Sequence, residues 1–338
     1  MQYDVPWENR KIDLEAYLCE ILEYHRVSTP YWQERLTPKL IEETVTNNLE
    51  ETLYNLSKLE VDQNLLRTNW LSFTPINLEN PRWSFSSGTT GEPKYCFWSE
   101  DYAKKQAHYL SFYLRDKVPG RPHTIIHGPA SVYKEVNERA INLLGGVPYF
   151  IPLRIYGLKP IMERAMAKGP EEMIKVVKEY FSLEIEKTKH LLKYDDSITF
   201  MRSAWVMLAP FELLFGDKRN VDTAMVSGLG YNQQNHEMLK QKFKDVIPSY
   251  GYFAFGDALG KYENGNLSYY PAFPYAIFTV VKENGEIAKY GEEGNPLFVV
   301  ARPDLLLVLK ENNEFARRAP PTEKFEWDGI RNPYRRLA

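Results

Sequence analysis

Residues 86–94 read Ser86-Ser87-Gly88-Thr89-Thr90-Gly91-Glu92-Pro93-Lys94. Four hydroxyls and two glycines fall within the first six of these positions, a poor recipe for a core and a good one for an anion cradle. Glycines let backbone N–H groups converge on a phosphate without side-chain obstruction, and Ser and Thr hydroxyls add donors. Lys94 places a positive charge at the end of the segment. The same composition also suits a plain Ser/Thr/Gly turn between two strands. The pattern GxxxxGK[ST] is absent, so this is not a Walker P-loop.

Outward from this segment the chain alternates. Thr124-Ile125-Ile126-His127 is a short β-branched run, Val132 to Leu144 is helix-like, Gly145-Gly146 closes that helix, and Val147 to Pro152 is a short apolar strand. A long amphipathic helical run is predicted over Pro170 to Lys193. Ser197 to Phe200 then reads as a strand, Ala204 to Phe215 as a buried helix, and Thr223 to Val226 as another strand. Strands separated by helices of this length imply βαβ units and a mostly parallel sheet. Toward the N-terminus, Leu14, Leu18, Ile21, Leu22 and Tyr24 recur at helical spacing. Ser28-Thr29-Pro30 breaks that helix and Pro38 starts another. Past residue 260 the runs are short and β-like: Tyr269-Tyr270, Tyr275 to Val281, Pro296 to Ala301 and Leu305 to Leu309. Glu283 to Glu286 and Gly291 to Gly294 punctuate them, the rhythm of an antiparallel meander. The expected fold class is α/β, with four regions: a helical arm over 1–80, an α/β region over 81–265 that holds the candidate anion cradle, a small antiparallel β subdomain over 266–316, and an irregular basic tail over 317–338.

The chain of 338 residues is 43% hydrophobic and 26% charged, enough to bury a sizeable core. Its 42 basic and 45 acidic residues leave a net charge of -3, which argues against a nucleic-acid partner. Cys19 and Cys96 are the only cysteines and form no CxxC, so neither a disulfide scaffold nor a thiolate metal site is supported. No signal peptide and no membrane span are expected, and the chain reads as cytoplasmic.

The string SSGTTGEPK resembles the phosphate-binding loop of the adenylate-forming superfamily, which holds acyl- and aryl-CoA ligases, adenylation domains and luciferases. Its flanks resemble the phenylacetate-CoA ligase branch: Ser99-Glu100-Asp101 with Ala103 after the loop, Thr29-Pro30-Tyr31-Trp32-Gln33-Glu34-Arg35 upstream, and Leu144-Gly145-Gly146-Val147-Pro148-Tyr149-Phe150-Ile151-Pro152 downstream. The resemblance is dense over residues 20–155 and thinner over 220–330. It implies the large N-terminal domain of that superfamily and attack of a carboxylate on the α-phosphate of ATP, giving an acyl-adenylate and pyrophosphate. The implied cofactors are ATP and Mg2+. The acceptor would be CoA, a carrier protein or an amine, and a homodimer is compatible. By the same resemblance Ser86, Ser87, Gly88, Thr89, Thr90, Gly91 and Lys94 contact the phosphates, with Thr89 and Lys94 in catalytic roles. Gly228, in Ser227-Gly228-Leu229-Gly230, lines the adenine side, or simply makes a tight turn capped by Asn232.

The resemblance has gaps. The family's Y-G-x-T-E landmark reads Tyr250-Gly251-Tyr252-Phe253-Ala254 here, without the Thr or the Glu. Tyr250 and Gly251 stay as nucleotide contacts, Tyr252 and Phe253 as substrate-pocket residues, and Asp257 is the nearest carboxylate for Mg2+. The ribose-binding Asp is replaced by Glu314, equally readable as a Glu at a strand end. The family's mobile C-terminal domain would follow a hinge near residue 320, where Trp327-Asp328-Gly329-Ile330-Arg331 stands. These gaps favour a second reading: a degenerate, non-catalytic relative that binds nucleotide or acyl ligand, or serves as a subunit of a complex. The retained loop opposes it. His123 and His127, four apart on a strand and so roughly 13 Å from each other, cannot share a metal ion. His127 still ends a strand where α/β ligands bind, which makes it a candidate pocket residue. Asp195-Asp196 and Glu292-Glu293 read as solvated turn charges.

Overall fold

The computed structural model describes residues 13–86, 92–118, 120–153, 161, 168–208, 221–228 and 230–335. The chain forms two compact units: residues 86–93 with 103–250, and residues 1–85 with 94–102 and 251–338.

In the first unit, β3 (His123–Gly128), β4 (Val147–Pro152), β5 (Ile198–Ala204), β6 (Thr223–Ser227) and β7 (Asp245–Tyr252) run parallel in the order β4-β3-β5-β6-β7. The expected βαβ rhythm is present. A helix over Val132–Leu143, capped by Ser131, returns the chain from β3 to β4. It ends at Gly145 in the left-handed region (φ 72°). At Gly146 an added Cβ would lie 2.3 Å from the Pro122 carbonyl oxygen, so only glycine lets the chain enter β4 there. The single helix expected over 170–193 is two, Pro170–Tyr180 and Ser182–Tyr194, because Phe181 leaves helical geometry while burying its ring. Ala204, expected in a helix, closes β5; the helix that follows is described over Trp205–Leu208.

The second unit is antiparallel. Its strands are β8 (Gly256–Glu263), β9 (Asn266–Tyr270), β10 (Ala276–Val281), β11 (Glu293–Arg302), β12 (Leu305–Lys310), β13 (Glu314–Ala319) and β14 (Gly329–Arg335). The order is β10-β11-β13-β14-β9-β8, with β12 on β11. This sheet extends past both ends of the expected 266–316. It begins with β8 because Asn264-Gly265, both at positive φ, makes a tight hairpin to β9. It ends with β14, where the sequence reading expects an irregular tail. Ile330 is β14's one fully buried apolar side chain, and pairing to β13 and β9 rather than alternation makes the strand. The proposed hinge remnant at 327–331 therefore runs into sheet.

The helical arm begins with Leu14–Ser28, capped by Asp13, which buries Leu18, Ile21, Leu22 and His25. His25, rather than the expected Tyr24, completes the i, i+3, i+4, i+7 stripe. Pro30 and Pro38 start the next helices, as the sequence predicts. The arm docks on β12 by a regular device. Carbonyls at alternate residues of a strand point the same way, and those facing away from β11 need donors. The arm supplies them: the Trp32 indole to Leu306 (2.9 Å), the Val61 N–H to Val308 (2.9 Å) and the Gln63 amide to Lys310 (2.7 Å). Phe255 meets Phe278 and Phe298 edge-on and those two rings tilt against each other, with centroids 4.8–5.3 Å apart. No helix among the described residues is long and apolar enough to cross a membrane.

Candidate functional site

Two short strands, β1 (Arg82–Phe85) and β2 (Tyr95–Trp98), pair antiparallel with Phe85 opposite Tyr95, so Ser86 leaves one strand beside the point where Lys94 enters the other. Of the predicted phosphate contacts, Ser87, Gly88, Thr89, Thr90 and Gly91 lie outside the described residues. Ser86 is half-buried at the entry. Lys94 is buried at the exit.

Lys94 has firm company. Its ammonium donates to the Gln63 side-chain oxygen and lies 3.7 Å from a Glu311 carboxylate oxygen. The Tyr252 hydroxyl donates to that same Glu311 oxygen. Burial, assisted by Arg67 and Arg335, pushes the Lys94 pKa down, while Glu311 pulls it back up. Burial beside Glu311 holds Tyr252 well above the usual phenol range. Glu311 opens the β12–β13 turn, which Asn295 pins through the carbonyls of Glu311, Asn312 and Glu314. Glu314, chosen from sequence, is buried at the start of β13 with the Arg335 guanidinium 3.5 Å from its carboxylate. Glu311 is thus the carboxylate joined to Lys94 and Tyr252, and the sequence reading passed over it. No local signal in the sequence marks it, since it stands between Lys310 and Asn312-Asn313 just past the end of β12.

β2 is held from below. The Phe253 carbonyl accepts from the Trp98 indole at 3.0 Å and the Cys96 thiol at 3.5 Å. The Arg302 guanidinium, fully buried, donates to Asp304 (2.8 Å) and to the Ala254 carbonyl (3.0 Å) and lies 3.6 Å over the Tyr102 ring. Asp304 in turn accepts the Ser99 N–H at 2.5 Å. Phe253 is buried, and Tyr252 stacks on Phe255. Asp257 is also buried; its Oδ1 would stand 3.6 Å from a Cβ on Gly251, itself exposed. Among the described residues no three His, Cys, Asp or Glu side chains converge as a metal cluster. A cation at Asp257 would therefore complete its shell with water and phosphate oxygens, a set that suits magnesium.

In the parallel unit, His127, Gly228 and Tyr250 fall at the carboxyl ends of β3, β6 and β7, the edge where such sheets bind ligands. Gly228 holds φ 118°, a conformation that favours glycine. His127 is placed differently from the expected pocket position. It is 1% exposed, with Nδ1 2.9 Å from the Ser203 hydroxyl and Nε2 2.8 Å from the Thr188 hydroxyl. Burial pushes its pKa down to about 4, so it is a neutral, fully bonded core residue. Asp195 also differs from expectation. It is no free turn charge, since it meets His123 Nδ1 at 2.5 Å and the Tyr149 hydroxyl at 2.8 Å.

No protein-family model and no curated protein matches the sequence. Solved structures do match the fold. A 2-hydroxyisobutyryl-CoA ligase with its acyl-AMP and CoA in the thioesterification state superimposes with a TM-score of 0.64 at 10% identity, over 96% of this chain and 67% of that one. The same ligase in its postadenylation state gives 0.63 at 10% identity over 98% of this chain and 69% of that chain. Its open conformation gives 0.62 at 9% identity over 94% and 67%. The chain has the fold of this CoA ligase.

Proposed function

We propose that the chain activates a carboxylic acid with Mg-ATP as an acyl-adenylate, for transfer to a thiol or an amine. The observation that carries this reading is that nearly the whole chain, 96–98%, follows a ligase crystallised with its acyl-AMP. In such a reaction an oxygen of the acid attacks the α-phosphorus and pyrophosphate leaves. The protein's part is to position the reactants and neutralise charge. Residues 86–91 would cradle the phosphates through backbone N–H groups and hydroxyls. Lys94 would exchange the oxygens of Gln63 and Glu311 for those of the nucleotide. Gly228, Tyr250 and Gly251 would border the nucleotide, Tyr252 and Phe253 the acid, and Glu314 the ribose. Asp257 would hold Mg2+, which when bound offsets phosphate charge.

A second reading has its own support. Lys94 is already paired inside the protein, and Tyr250 to Ala254 offers neither the Thr nor the Glu of the family pattern. Both facts fit a relative that binds nucleotide or acyl ligand without turnover. Pyrophosphate release with Mg-ATP across a panel of aryl and fatty acids separates the two. Acid-dependent release supports activation. Silence from the folded protein, together with stabilisation by ATP, assigns it to binding alone.

A further inference from the structure

The anion that Lys94 faces inside the protein is Glu311. The ammonium donates to the Gln63 side-chain oxygen and stands 3.7 Å from Glu311 Oε1, the oxygen that also accepts the Tyr252 hydroxyl. The Lys94 and Glu311 side chains are only 8% and 12% exposed. Both acceptors are tied to the end of β12. The Gln63 amide donates to the Lys310 carbonyl at 2.7 Å. The Glu311 N–H donates to the Pro296 carbonyl at 2.9 Å, and the Glu311 carbonyl accepts from Asn295 at 3.2 Å. Lys94, by contrast, reaches them along a flexible four-carbon stem. An outside anion that takes Lys94 therefore draws the ammonium away from acceptors that cannot follow it.

That departure has a cost. Glu311 keeps the Tyr252 hydroxyl but loses the ammonium, and a largely buried carboxylate is expensive to separate from its cation. The cost acts as a threshold on binding. Apparent affinity scales with the fraction of molecules in the competent state, so a lysine released one time in ten or fewer binds an anion about tenfold or more weakly. Tyr252 lowers the threshold, because its hydroxyl still serves Glu311 once Lys94 has gone.

We propose that Glu311 is an autoinhibitory latch on Lys94, withholding the ammonium from polyphosphate anions and recapturing it when they leave. That the anion is the polyphosphate of ATP rests on the acyl-activation reading; the latch itself does not. Two measurements on the full chain test it: calorimetric titration with ATP and with inorganic tripolyphosphate, and trace acetylation of lysines by acetic anhydride, read peptide by peptide in a mass spectrometer. E311Q keeps the shape and removes the charge. It is expected to bind both anions about tenfold or more tightly than the wild type, and the gain is expected to vanish between K94M and E311Q/K94M. Lys94 is expected to acetylate several-fold faster in E311Q while the other lysines hold their rates, which a general loosening of the fold would not allow. Y252F moves the other way, with anion binding several-fold weaker, because Glu311 then depends on Lys94 alone. Where the wild type binds either anion, an E311Q that binds it no tighter overturns the latch. An equal gain in the K94M background also overturns it and assigns simple repulsion. Unchanged Lys94 acetylation in E311Q, or tighter binding by Y252F, overturns it as well. Faster Lys94 acetylation in E311Q, from proteins that bind neither anion, would remove the nucleotide reading and leave the latch standing.

Discussion

Acid should unfold this protein earlier than its carboxylates alone would, because three histidines are buried neutral. His25 sits between the Thr29 hydroxyl and the Arg302 carbonyl, His127 between Ser203 and Thr188, and His236 against the Tyr231 hydroxyl at 2.6 Å. Burial is the main cause at each, and each is pushed from an ordinary 6.5 down to about 4. Between those values the unfolded chain holds the proton and the folded one does not. Stability therefore rises with pH across this window and is lost as pH falls from about 6.5 toward 4. Going from neutral pH to 5, each histidine removes on the order of 2 kcal/mol. The parallel-sheet unit carries two of the three, so it should lose about 4 kcal/mol, a large share of an ordinary domain's 5–15. Urea titrations at a series of pH values read this directly, and His127→Gln should flatten the slope by about 1 kcal/mol per pH unit between pH 5 and 6. An unchanged slope in His127→Gln, or an NMR titration placing His127 near 6.5, would refute the reasoning.

Two further outcomes concern buried charge. Lys94→Met and Glu311→Leu should each destabilise by a few kcal/mol, about 3 where one charge is left buried alone. The double variant should cost clearly less than the sum in denaturant titrations, and strict additivity would contradict the pairing. Arg318→Met strands Asp328, whose pKa burial already raises, and should cost about 3–5 kcal/mol. Glu50→Gln touches the half-exposed end of the same network and should cost only about 0.2–1 kcal/mol. Equal costs in chemical denaturation would show that the arm, not the buried pair, dominates there.

The parallel unit was legible because helix and strand periods alternate cleanly between Thr124 and Val226. The β12 run Leu305 to Leu309 was legible because every residue is buried. β8 and β14 were not, since Asp257, Gly260 and Lys261 in β8 and Arg331, Asn332 and Pro333 in β14 break the apolar alternation that marks a strand. In the candidate site, Lys94 is singled out by the glycine- and hydroxyl-rich string it ends, whose residues 87–91 lie outside the described residues. Glu311 carries no such mark, because its role comes from a turn that brings it to Lys94 from more than two hundred positions away. His127 shows the reverse error: its strand end was read correctly, but whether a strand-end side chain meets ligand or core depends on what covers it, here Thr188 and Ser203.

The central claim is acid activation, and the acyl-adenylate itself is its most direct witness. The full chain, incubated with Mg-ATP and each acid of an aryl and fatty panel, is quenched and examined by mass spectrometry beside Lys94→Ala and Thr89→Ala. The account predicts an acyl-AMP for at least one acid, lost in both variants. No adduct from the folded wild type with any acid, or adduct undiminished in Lys94→Ala, would contradict it.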